Sequence, residues 1–164
     1  MPKQRILIVD DEPNLLESFK VGLELKGYDV TLARGGAEAL EACDDQTFDI
    51  VLLDIRMPVM DGKETLKQLK QKRPDQIVIM LTAHGSLESA VETGRLGAFD
   101  YLEKPSTPDA VHLRVQRALE SRDLTEENRR LKSQLREKYQ FEKLVGNSSP
   151  MQEVYSLVER ILDT

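Results

Sequence analysis

The sequence predicts an α/β fold: a doubly wound parallel sheet of five strands, followed by a long helical coiled-coil linker. Three observations carry this reading. Apolar runs such as Ile50-Val51-Leu52-Leu53 and Ile77-Val78-Ile79-Met80-Leu81 are unbroken, as in strands buried on both faces. They alternate with segments of helical apolar spacing, and that alternation gives a parallel sheet with helices on both faces. Beyond Ser121 the composition shifts to Glu, Arg, Lys, Gln and Leu, the mark of a solvated helix rather than a core.

Taken in order, Arg5-Ile6-Leu7-Ile8-Val9 reads as the first strand, with Asp10-Asp11-Glu12 at its carboxyl end. Pro13 suits a first helical turn, where its missing N–H costs nothing. Leu15, Leu16, Phe19, Leu23 and Leu25 give that helix an apolar face, and Gly27 stops it. Tyr28 to Ala33 alternates weakly and reads as the second strand. Gly35-Gly36 turns into a helix carrying Ala37, Ala39, Leu40 and Ala42. The third strand runs into Asp54, Asp61-Gly62 signals a turn, and Leu66 and Leu69 mark a third helix ending near Pro74. The fourth strand ends at Thr82. Ser86 can cap a fourth helix that closes at Gly97. Phe99-Asp100-Tyr101-Leu102 is a short fifth strand ending at Glu103-Lys104-Pro105. Thr107-Pro108-Asp109 then supplies a cap, a first-turn proline and a first-turn acid.

From Asp109 to about Tyr139 there is neither Gly nor Pro, enough for roughly 45 Å of helix at 1.5 Å per residue. With Leu124 and Leu131 at heptad position d, Asn128 and Leu135 fall at a, and Glu127 and Lys132 are placed to pair across a parallel dimer. This reads as a short coiled coil. The alternative is a solvated single helix supported by pairs such as Glu126–Arg130. Gly146-Asn147-Ser148-Ser149 breaks the pattern. Ser149-Pro150 restarts a helix with Met151, Val154, Leu157, Val158 and Ile161 on one side. An amphipathic helix so close to the end of the sequence is expected to open a further domain. The division is therefore 1–120 for the sheet domain, 121–141 for the linker and 142–164 for a domain fragment.

Composition narrows the function. The 164 residues carry a net charge of −6 and 32% charged side chains, which argues against a basic nucleic-acid surface. Arg129, Arg130, Lys132 and Arg136 are interspersed with Glu and read as a solvated face. No run approaches the ~20 apolar residues of a membrane span, and residues 1–5 lead into a short strand rather than a signal peptide's core. The single cysteine, Cys43, is expected to pack as a small apolar residue in a reducing, cytoplasmic compartment. His84 and His112 lie far apart with no ligand-spaced partners, which excludes a structural zinc site of the usual kind.

The chemistry lies at the strand ends. Parallel strands converge their carboxyl ends at the topological switch point, which collects Asp10, Asp11, Asp54, Thr82 and Lys104 in one pocket. Clustered carboxylates repel and persist when a hard cation sits among them, and oxygen-only ligands suit Mg²⁺. An acid, Mg²⁺, a lysine and a hydroxyl make a site for a transferred phosphoryl group, with Asp54 as the nucleophile.

Ile6-Leu7-Ile8-Val9-Asp10-Asp11-Glu12, Leu53-Asp54-Ile55-Arg56-Met57-Pro58-Val59-Met60-Asp61-Gly62, Leu81-Thr82-Ala83 and Asp100-Tyr101-Leu102-Glu103-Lys104-Pro105 together resemble the receiver domain of two-component response regulators. The resemblance covers residues 1 to about 120 and implies a flavodoxin-like sheet of order 2-1-3-4-5. It implies that Asp54 accepts phosphate from a sensor histidine kinase. It also implies that Asp11, Asp54 and the backbone carbonyl of Arg56 bind Mg²⁺ with Asp10 assisting. Thr82 and Tyr101 would form a switch pair, Lys104 would contact the phosphoryl group, and Lys104-Pro105 would be cis. Ser106 departs from the pattern, since many relatives carry an aromatic there.

A narrower resemblance rests on Leu81-Thr82-Ala83-His84-Gly85-Ser86, Glu126-Glu127-Asn128-Arg129-Arg130-Leu131, Leu144-Val145-Gly146-Asn147-Ser148 and Met151. These are similar to the nitrogen-regulatory class, activators of sigma-54 RNA polymerase. It implies a longer parent with an AAA+ ATPase and a DNA-binding domain, hence ATP, DNA and polymerase as partners. No G-x-x-x-x-G-K-[ST] phosphate loop occurs in this sequence, so the chain itself is not expected to be an enzyme. Homodimerisation is expected through the linker leucines and through the face formed by the fourth helix, fifth strand and fifth helix. Two other readings stand beside this one. A haloacid-dehalogenase-type phosphatase also uses a strand-end Asp and Mg²⁺, but wants an acid where Arg56 stands. A constitutive dimerisation module would leave the pocket unused. His84 and Arg56 lie two residues past Thr82 and Asp54, placed to tune hydrolysis of an acyl phosphate or simply to face solvent.

Overall fold

A computed structural model describes residues 2–83, 85–145 and 149–162. Two compact units divide the chain, Met1–Leu119 and Glu120–Thr164. In the first, strands and helices alternate: β1 (Arg5–Val9), α1 (Pro13–Leu25), β2 (Asp29–Ala33), α2 (Gly36–Asp45), β3 (Ile50–Asp54), α3 (Gly62–Lys72), β4 (Ile77–Thr82), α4 (Leu87–Arg95) and β5 (Asp100–Glu103). A helix of 38 residues, α5 (Pro108–Val145), belongs to both units, and α6 (Ser149–Leu162) comes after it. All strand pairs are parallel and the order is β2-β1-β3-β4-β5, as the resemblance implied.

The unbroken apolar runs serve two cores at once, because successive side chains point to opposite faces of a sheet. Ile6, Ile8, Ile50, Leu52, Ile79 and Leu81 meet Leu16, Phe19 and Leu23 of α1 and Val111, Val115, Ala118 and Leu119 of α5. Their neighbours Leu7, Val9, Val51, Leu53, Val78 and Met80 meet Ala39, Leu40 and Cys43 of α2 and Leu66 and Leu69 of α3. Cys43 is one of these small packed residues.

Several local expectations change. Leu25 is not part of the apolar face of α1; it is 82% exposed. It lies nine residues beyond Leu16, half a turn off at 100° per residue, so it points away from the stripe. Asp61 is more than a turn signal. Its carboxylate accepts from the Glu64 N–H at 2.8 Å and caps α3. His112 has a partner distant in the sequence, its Nδ1 lying 3.1 Å from the Tyr28 hydroxyl. Gly27 and Gly97 do end α1 and α4, each with φ at +95°, a conformation open to glycine. The Lys104-Pro105 bond is cis. Ser106 buries its Oγ with no protein hydrogen-bond partner. His84 and residues 146–148 lie outside the described residues.

In the second unit, α5 continues without interruption through the expected linker. Leu124, Leu131 and Leu135 are 72%, 48% and 43% exposed, and Asn128 is exposed too. Arg130 pairs with Glu127 at 2.7 Å, three residues away, rather than with Glu126. Arg129, Lys132 and Arg136 face solvent. In α6, Val154, Leu157 and Ile161 are exposed. No described helix is long and apolar enough to cross a membrane.

Candidate functional site

The parallel register sets the site. Val9 pairs with Leu53, so Asp10 comes level with Asp54 at the strand ends. Asp54 pairs with Leu81 on the other side, which places Thr82 one residue further along the neighbouring strand. Lys104 lies just past β5, and its N–H donates to the Thr82 carbonyl at 2.6 Å. Four elements thus deliver an acid pair, an acid, a hydroxyl and an ammonium to one end of the sheet.

The carboxylates of Asp10, Asp11 and Asp54 lie within 4.8 Å of one another. Lys104 Nζ is 2.5 Å from Asp10 Oδ2, 3.3 Å from Asp54 Oδ1 and 3.9 Å from Glu12 Oε1. The other oxygen of Asp10 accepts from the Glu12 N–H at 2.9 Å. Asp10 is fully buried, with one oxygen on a backbone donor and the other on the ammonium. Asp54 is 4% exposed, whereas Asp11 faces solvent at the mouth. The Arg56 backbone N–H donates to the Asp54 carboxylate, in the loop just beyond β3.

Burial raises the pKa of Asp54, and the charge of Asp10 raises it further; Lys104 and the Arg56 N–H offset this only in part. Burial alone would lower the pKa of Lys104. The hydrogen bond and charge of Asp10, then those of Asp54, outweigh it and hold the ammonium above its ordinary value. The pocket thus keeps a fixed cation beside a carboxylate that is reluctant to ionise, the balance a second cation would tip. Its donors are carboxylate oxygens, which fit Mg²⁺ and not a metal that prefers nitrogen or sulfur. Asp10, Asp11 and Asp54 together form the group of carboxylates that could hold a metal ion.

Thr82 and Tyr101 border one recess. Its other walls are Ile55, Gly85, Ser86, Ser89, Ala90 and Thr93. Thr82 is 6% exposed, while Tyr101 is 40% exposed on the outer side of β5.

Two supporting residues are not evident from apolar patterning. A methyl group on Gly62 would run into the carbonyl oxygen of Asp54, so only glycine lets α3 start this close to β3. The Gly62 N–H also donates to Ile55 O at 2.8 Å. The signal for the cap was available, as an acid at 61 followed by Glu64 three residues on. Glu12, whose N–H fixes Asp10, carries no signal of its own in the run of acids.

Residues 6–116 match the response regulator receiver domain family. The chain belongs to that family. It is 40% identical over 150 residues to the regulatory protein AtoC of Escherichia coli (strain K12), covering 92% of this chain and 32% of AtoC. The C4-dicarboxylate transport transcriptional regulatory protein DctD of Pseudomonas aeruginosa is also 40% identical over 150 residues, covering 90% of this chain and 32% of DctD. The chain therefore spans 32% of the length of these curated relatives. A CheY-like receiver domain protein from Methanospirillum hungatei superposes with a TM-score of 0.72 at 35% identity, over 76% of this chain and 99% of that one. A receiver domain is the regulatory part of a response regulator and not an enzyme in itself.

Proposed function

We propose that this receiver domain is a phosphoacceptor switch, with Asp54 taking a phosphoryl group from a sensor histidine kinase. The observation that carries the reading is the cluster of Asp10, Asp11 and Asp54 at the carboxyl end of the sheet, with Lys104 held against Asp10 and Asp54. An Asp54 oxygen attacks phosphorus. The P–N bond to the donor histidine breaks as the P–O bond of the acyl phosphate forms, and the departing imidazole takes a proton from solvent. Asp11, Asp54 and the Arg56 carbonyl are the groups to hold Mg²⁺, which supplies positive charge to the phosphoryl oxygens when bound. Lys104, anchored by Asp10, offers its ammonium to the same oxygens. Thr82 donates its hydroxyl to one of them, and the Tyr101 ring turns from solvent into the recess that Thr82 borders.

The output is a change in self-association. Residues 1–120 act as receiver, 121–141 as coiled-coil linker and 142–164 as the first piece of an AAA+ ATPase. Leu124, Leu131 and Leu135 are exposed on one helix, which supports a parallel dimer through the linker with Asn128 setting register. Leu87 and Val91 of α4 and Tyr101 of β5 are exposed on the face proposed as a second contact between copies. The likeness to AtoC and DctD supports a cytoplasmic transcriptional regulator of the sigma-54 activating class, whose whole protein engages ATP, DNA and polymerase.

Incubation with acetyl phosphate and Mg²⁺ tests this by intact mass and sedimentation velocity. One added phosphoryl group on the wild type, none on Asp54→Ala, and a changed sedimentation coefficient are expected. An unmodified wild type overturns the phosphoacceptor reading, and modification with unchanged sedimentation overturns the output.

A further inference from the structure

α4 is held differently from the other helices against the sheet. Leu16, Phe19 and Leu23 anchor α1, and Ala39, Leu40 and Cys43 anchor α2. The one buried residue of α4 is Thr93, whose hydroxyl is spent on the Ser89 and Ala90 carbonyls of its own helix. Leu87 and Val91 are 81% and 47% exposed. Polar ties take the place of apolar packing. Lys63 Nζ reaches Glu92 Oε2 at 2.5 Å from α3. From β5, Glu103 Oε1 accepts from the Gly85 N–H at 3.2 Å.

The second tie is placed to matter. Gly85 immediately precedes Ser86, the cap of α4. The Glu103 carboxylate lies flat on Gly85, so that a Cβ there would stand 3.0–3.3 Å from its atoms. Glu103 is the register partner of Thr82 and lies two residues from Tyr101, on the same exposed side of β5. Gly85 and Ser86 are also walls of the recess that Thr82 and Tyr101 border.

We infer that Glu103 is a positioning residue that holds the start of α4 against β5 and thereby sets how readily Thr82 and Tyr101 rearrange. The inference rests on Asp54 being the phosphoacceptor. For the Tyr101 ring to enter the recess, the walls at Gly85 and Ser86 must yield, and the tie to Glu103 opposes that movement. An arrangement lacking the tie is populated only as far as the phosphoryl group favours it. Removing the acceptor lowers that barrier to switching. Glutamine keeps a carbonyl oxygen for the same N–H and should restore the tie.

Two measurements on the 164-residue chain test this, with Glu103→Ala and Glu103→Gln beside the wild type. Without any phosphoryl donor, amide exchange in the peptide holding Gly85 should be about fivefold faster in Glu103→Ala, as expected for loss of one net hydrogen bond, and near wild type in Glu103→Gln. With Mg²⁺, isothermal titration with beryllofluoride should show Glu103→Ala binding about fivefold more tightly. Unchanged exchange in Glu103→Ala, or a Glu103→Gln variant that behaves like it, overturns the tie. Faster exchange with unchanged or weaker beryllofluoride affinity overturns its coupling to the site. If the wild type binds no beryllofluoride, the phosphoacceptor reading fails instead, while the exchange data still report on the tie.

Discussion

Asp54 is buried beside Asp10, and burial first, then that neighbouring charge, raises its pKa. A raised carboxyl pKa means stability that is present below the ordinary carboxylate range and lost as pH rises through the folded value. At pH 7 without Mg²⁺, Asp54→Asn should therefore raise the melting temperature, with the gain vanishing below about pH 4. Thermal melts across that range check it. Lys104 has the opposite role. Its raised pKa contributes stability at all pH values below the ordinary lysine range, lost in alkali. Lys104→Met strands Asp10, which is fully buried, and should cost about 3–5 kcal/mol in urea unfolding at pH 7. The strand-end acids and Lys104 were legible because each comes directly after an apolar run or a short strand. What pairs with what was not: Lys104 meets Asp10 across 94 residues, and Tyr28 meets His112 across 84. No local periodicity records such distances along the chain.

At the level of elements, the loop between β3 and α3 is built tightly. Met60 N–H donates to Pro58 O at 2.8 Å, closing a three-residue turn with Val59 at its centre. Val59 has φ at +70° and is wholly exposed, an unfavourable conformation for a β-branched side chain that makes no packing gain there. Val59→Gly should raise stability by about 1 kcal/mol, measured by urea unfolding. A change in the rate of acetyl phosphate modification alongside it would show that the turn also shapes the site. The sequence could not reveal this, since Pro58 and Gly62 advertise a turn without saying which residue between them takes the left-handed conformation. Helix limits were more readable. Gly27, Gly97, Ser86 and Thr107 act where they stand, because caps and stops are local chemistry. Leu25 was misplaced for the complementary reason: a leucine shows its hydrophobicity in the sequence, but only its angle around the helix shows where it points.

At the scale of the whole molecule, α5 serves two purposes. Its first turns close the sheet face shared with α1, through Val111, Val115, Ala118 and Leu119, and its later turns expose the linker leucines. The two cores and the converging strand ends were foreseeable from alternation and unbroken apolar runs, whereas the strand order came only from the resemblance. The run free of Gly and Pro gives no boundary for the share of α5 that belongs to the sheet; the expected limit at residue 120 came from the shift in composition beyond Ser121. The family match ends at residue 116, yet Ala118 is fully buried and Leu119 is 6% exposed. A fragment stopped at 116 loses both side chains from the core and should melt several degrees below one stopped at 122, as a loss of about 2 kcal/mol would produce. Anyone trimming a gene to a homology border would therefore cut through a wall rather than a hinge, and could mistake the resulting weak, sticky product for a property of the native protein.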